Sequence, residues 1–191
     1  IRALAAFHAA TGDTEALDLA VRAAEWVVSH RARGETGGFS HDAADPAGPY
    51  LADTLEMGRA FLALHVVTGE RRYLALSAAA AAFVSKAFAP GDAGFVTAVP
   101  SEGEPFAPRP QFDENAAVAR WGALLAAYTG DAAHRALAER AMRYLATEEI
   151  ARSRRFTVAP ILLADRELAT DPPHVTVVGA KDDPRALALF R

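Results

Sequence analysis

Asp42, Asp45, Asp53, Glu56, Asp113 and Glu114 lie in, or within a few residues after, two Pro-, Gly- and Asp-rich stretches, roughly 36–51 and 91–112. Cleaving a glycosidic bond takes two carboxyl groups across a ligand, one protonated and one ionised, about 5–5.5 Å apart for retention or about 6.5–9.5 Å for inversion. Asp53, Asp113 and Glu114 are therefore the candidate acid and base. Aromatic residues crowd the same stretches, and sugars stack on aromatic faces. Tyr50, Phe106 and Phe112, with Arg109 and Asn115, form the candidate substrate contacts, while Phe39 and Phe95 read as core plugs. The acids also have a structural reading. Asp53-x-x-Glu56 matches a capping box, and Asp113 or Asn115 is a suitable N-cap. A cap can also line a site, so the two readings coexist.

Other chemistries find less support. Histidines 8, 30, 41, 65, 134 and 174 show no metal-ligand spacing, and "HDAAD" (41–45) reads as a solvated polar loop. The chain has no cysteine, hence no disulfide, thiolate ligand or thiol nucleophile. It contains no nucleophile elbow, phosphate loop or dinucleotide fingerprint. "VVGAKDDP" (177–184) offers a single glycine, with two acids where a phosphate would approach. No cofactor and no metal are expected. A net charge of −4 gives no pull towards nucleic acid or anionic lipid, and the small-apolar run "SAAAAAFV" (77–84) is too short to span a bilayer. These features point to a soluble chain, with a lean to the cytoplasm, and neither nucleic acid nor membrane is an expected partner.

The elements that must position these residues come from a repeat. "AATGDTEAL" (9–17), "VVTGERRYL" (66–74) and "AYTGDAAHRAL" (127–137) share Thr-Gly-acid, each between segments with helical spacing of apolar residues. The glycine can end one helix in the left-handed conformation and the acid can begin the next, so each copy predicts an antiparallel helical pair. The hairpins are expected over 1–35, 50–90 and 112–148, within a repeat region 1–150. The tight turns then lie at one end of the body and the long connections at the other, beside the N-termini of the helices starting near Asp53 and Asp113. In the tail, 151–191, the pattern predicts a helix over 157–168, a buried strand over "HVTVVG" (174–179), and a helix capped by Asp183 with Pro184 at its first position. The fold class is thus mainly α, a partial toroid of three hairpins followed by a short βα unit. A chain opening without Met in helical pattern is expected to be a piece of something longer.

The Thr-Gly-acid hairpins, the "GGF" (37–39) that follows the first pair, "LADTLEMGRAFLALHVVTGERRYL" (51–74), "FDENAAVARWGALLAAYTGDAAHRALAERAMRYLA" (112–146) and "PPHVTVVG" (172–179) together resemble one family. It is the C-terminal six-hairpin-glycosidase-like α/α-barrel region of thioredoxin-domain-containing proteins, a group that includes the spermatogenesis-associated thioredoxin-fold proteins and bacterial relatives. The resemblance covers nearly the whole chain. It implies a ring of hairpins related to glycosidases and to N-acylglucosamine epimerases, behind an N-terminal thioredoxin-like domain. It also implies a partner: the remaining hairpins and thioredoxin-like domain of the same protein, or a second copy of the chain, closing the ring.

Two functions fit. In one the ring is a non-catalytic scaffold or binding module beside a redox domain. In the other the long-loop end binds a sugar and acts as a glycoside hydrolase or epimerase through Asp53, Asp113 and Glu114. The scaffold is preferred on sequence, because half a ring holds half of a central site.

Overall fold

Each Thr-Gly-acid turn works through one set of local bonds. Thr11, Thr68 and Thr129 donate their hydroxyls back to the carbonyls of Phe7, Leu64 and Leu125 at 2.7–2.8 Å and accept the amides of Asp13, Glu70 and Asp131. The intervening glycines take φ of 76°, 70° and 68°, where a Cβ would be strained. Asp13 and Asp131 then accept an amide of the next helix from their side chains, whereas Glu70 turns to Arg72. His8 and His65 repeat a further bond, from Nδ1 to the carbonyls of Asp13 and Glu70.

The computed structural model describes the chain except residues 44–47, 100–106, 155, 174, 181, 182 and 191. The turns join α1 (Arg2–Thr11) to α2 (Thr14–Arg31), α3 (Leu51–Thr68) to α4 (Arg71–Ala87), and α5 (Phe112–Thr129) to α6 (Ala132–Leu145). Short α7 (Glu148–Ser153), then α8 (Ala159–Ala169) and α9 (Pro184–Phe190), follow. Helices α1, α3, α5 and α8 pack side by side as one row, with α2, α4 and α6 behind their partners. This is the partial α/α toroid expected from the repeat. Pro160 sits in the first turn of α8, where its missing N–H costs nothing.

Polar stitches fix the helices against one another. Trp121 on α5 donates from Nε1 to Ser77 on α4 (3.0 Å), and Ser77 donates to the Gly58 carbonyl on α3 (2.8 Å). All three residues are buried, and Gly58 is glycine because a Cβ there would overlap the Trp121 ring. The fourth residue of each long inner helix holds a connection. Thr54 Oγ1 accepts the Phe39 amide (3.1 Å), and Asn115, fully buried, accepts the Phe95 amide (2.8 Å) while donating to the Phe95 carbonyl (2.9 Å). Phe39 and Phe95 are buried, as plugs should be.

Two sequence expectations fail. Residues 175–179 form no strand: Val175 and Val178 are 78% and 92% exposed, and among the described residues pairing is limited to isolated bridges. β-Branched composition favours a pleated, half-buried setting, but composition alone does not make a strand where the side chains stay exposed. Among the described residues the tail is therefore helix, irregular segment, helix. Neither Asp53 nor Asp113 nor Asn115 is an N-cap either. Helices α3 and α5 begin earlier, at Leu51 and Phe112, with Tyr50 and Gln111 in the cap position and no side-chain cap bond. Among the described residues no helix is long and apolar enough to cross a membrane.

Candidate functional site

Both long connections reach the same end of the molecule and are tied there by main-chain pairing. Tyr50 bridges Ala98, and Val96 bridges Pro110, so residues 96–99 form a ribbon between the segments that lead into α3 and α5. The Leu51 amide donates to Thr97 O (2.8 Å), the Val99 amide to Pro49 O (3.2 Å) and the Thr97 amide to Arg109 O (3.3 Å). Helix α6 holds the second connection from behind. Arg140 donates to the carbonyls of Gly91 and Gly94, Arg143 to that of Asp92, and Tyr144 to that of Pro110. The first turns of α3 and α5 thus stand on one rim, each with the positive end of a helix dipole.

On that rim the equivalent acids are Asp53 and Glu114, each the third residue of its helix; Asp113 is one place out of register. Asp53 accepts from His41 Nδ1 (3.0 Å) through one oxygen, and its other oxygen is buried with no hydrogen-bond partner among the described residues. Glu114 repeats the pattern: one carboxyl oxygen is buried with no partner among the described residues, and burial alone pushes its pKa above the usual glutamate value. A helix N-terminus favours an anion there, yet half-burial favours the proton. Asp113 is exposed. Glu56 accepts from Arg2 (2.8 Å) and from Arg59, and Asp42 pairs with Arg31 at 3.5 Å. Asp45, Phe106 and His174 lie outside the described residues.

The proposed contacts divide. Tyr50 is half-buried at the rim and meets the His41 ring edge-on, with centroids 6.0 Å apart. The Arg109 side chain is exposed beside the ribbon. Phe112 is packed in the core, 4% exposed, under the guanidinium of Arg154. Asn115 spends its amide on the backbone of Phe95 and Gln111. Asp53, His41, Tyr50 and, across the ribbon, Glu114 are therefore the groups this end presents.

A second feature was not read from the sequence. The row α1, α3, α5, α8 encloses a groove of about 1050 Å³ on its open face, lined largely by alanine, leucine and valine and by Arg2, Arg59, Arg120, Arg166, Trp121 and Glu167. Arg2, Arg59 and Arg120 occupy one repeat position, separated by the same intervals as Thr11, Thr68 and Thr129. That shared interval was the available signal. None of the rim acids lines the groove.

Compared with known proteins, the chain matches the family model of the beta-L-arabinofuranosidase GH127 catalytic domain over residues 1–150. No curated protein sequence matches it.

Proposed function

This chain belongs to the beta-L-arabinofuranosidase GH127 catalytic-domain family, of the six-hairpin glycosidase-like superfamily, and from that membership we propose that it is part of a carbohydrate-active domain of glycoside-hydrolase type. The rim formed by the first turns of α3 and α5 receives a sugar. Glu114, whose pKa burial raises, serves as general acid towards the leaving oxygen, and Asp53, oriented by His41, is its carboxylate partner. The observation that carries this reading is the repeat-equivalent pair of acids, each with a buried oxygen that no group among the described residues satisfies. Buried polar atoms are ordinarily paired, and sugar hydroxyls are suitable donors for both. Asp113, exposed one residue away, is a further polar contact rather than the second acid.

The test is hydrolysis of an aryl β-L-arabinofuranoside, with binding of the same glycoside followed by NMR. Glu114→Gln and Asp53→Asn are each expected to lower turnover by about a hundredfold or more while leaving the fold intact. Unchanged turnover in both variants, or neither turnover nor binding in the parent chain, refutes the reading.

The scaffold reading, a toroid beside a thioredoxin-like domain of the same protein, is supported by a different observation: among the described residues, the groove enclosed by the helix row holds no pair of unengaged carboxylates. Under that reading Asp53→Asn and Glu114→Gln leave association with the redox domain unchanged. Both readings call for a closed ring. Phe7, Leu19 and Trp26 on the first hairpin and Leu162 and Leu163 on α8 are 41–60% exposed, which supports cover by further hairpins of the same protein or by a second copy.

A further inference from the structure

The groove carries charge opposite to that of the chain. Four guanidiniums line it, from Arg2, Arg59, Arg120 and Arg166, in a protein of net charge −4. Two carboxylates answer them. Glu56 is shared between Arg2 and Arg59, and Glu167 accepts three hydrogen bonds from Arg120 through both its oxygens at 2.7–3.0 Å. Arg166 makes no ion pair among the described residues. Burial, helped by the field of Arg2 and Arg120, holds the pKa of Arg59 below the usual arginine value despite Glu56. Like charges on three neighbouring helices cost stability unless an anion joins them. Every one of these guanidiniums, engaged by one carboxylate at most, keeps N–H donors to spare.

The space suits a chain of sugar units rather than a lone ion. It spans four helices, and small apolar residues such as Ala6, Ala63 and Ala127 line it below the arginines, a surface for the C–H faces of pyranose or furanose rings. We propose that this groove binds an acidic saccharide whose uronate carboxylates seat among Arg59, Arg120 and Arg166, while its ring faces lie on the apolar wall. The inference rests on the carbohydrate reading and adds to the rim a separate binding surface, with the class of saccharide it takes.

Tri-galacturonate and its methyl ester are the probes, since the two differ in charge and little else; calorimetric titration of the full chain at low and high salt is the assay. The acid is expected to bind at least about tenfold more tightly than the ester, with the advantage shrinking as salt rises. Arg166→Gln, which breaks no ion pair of the described structure, is expected to reduce the acid's affinity and leave the ester's alone. Arg59→Gln with Arg120→Gln removes the preference. Equal affinity for acid and ester, or an Arg166→Gln variant and a double variant that both bind the acid as the parent does, overturns the inference and leaves the carbohydrate reading standing. Arginine-dependent binding of inorganic sulfate with no saccharide bound also overturns the inference, while the carbohydrate reading stands or falls on the arabinofuranoside test at the rim.

Discussion

Replacing Asn115 by alanine removes a side chain that makes three hydrogen bonds from a fully buried position. The Gln111 carbonyl keeps a partner, since the Asn115 amide still donates to it at 3.1 Å. The Phe95 amide and carbonyl, in a residue that is itself 0% exposed, lose theirs. A buried backbone group left unpaired costs about 1–3 kcal/mol, so the pair costs about 2–6 kcal/mol. For a chain of this size that lowers the melting temperature by roughly 4–24 °C. Thr54→Val, at the equivalent position of α3, orphans only the Phe39 amide and is expected to cost about half as much, about 1–3 kcal/mol. Urea unfolding read by circular dichroism measures both. The midpoint should fall with the slope unchanged, because neither substitution alters the surface exposed on unfolding. A loss below about 1 kcal/mol for Asn115→Ala, or equal losses for the two variants, would show that the second connection is not held as described.

Glu114→Gln separates burial from pairing. A folded pKa above the ordinary glutamate value means that the folded chain holds the proton more tightly. The stability this contributes is complete below the ordinary value and is lost as pH rises through the raised one. Thermal melts of parent and variant are therefore expected to coincide near about pH 4 and to favour the glutamine variant increasingly towards about pH 8; the opposite trend would contradict the burial argument. The glycines give a second contrast. Gly94→Ala sets a Cβ at φ of 71° and 2.8 Å from the Tyr144 Cβ, whereas Gly69→Ala sets one at φ of 70° with nothing within 4 Å. Gly69→Ala should cost about 1–2 kcal/mol and Gly94→Ala clearly more by the same denaturation assay; equal costs would mean that the connection yields freely.

The hairpins were legible because every determinant of their turns is local. Threonine hydroxyl, glycine and acid act within five residues of one another, and the helices fall where the repeat predicts them. The inner-helix starts were not legible, because their determinants are remote. Leu51 donates its amide to Thr97 O, across 46 residues of sequence, so no capping side chain marks the boundary. The capping box suggested by Asp53 and Glu56 misplaced that boundary by two to three residues. The shift turned an apparent cap into a third-position acid and matched it to Glu114 instead of Asp113. Asn115 looked like a ligand contact because sequence does not distinguish an amide that faces solvent from one that replaces a missing ladder bond. The arginine row was readable from the threonine intervals, but charge at a repeat position gains meaning only once the helices enclose a space.

The ribbon at the long-connection end uses main-chain atoms throughout. Substitutions at Thr97, Ala98 and Arg109, unlike ones at buried Val96, can therefore alter size, polarity or charge without moving the points at which α3 and α5 begin. Selection acting on the proposed sugar contacts is thus uncoupled from selection acting on the helical frame, and variants differing only at those three positions should fold alike.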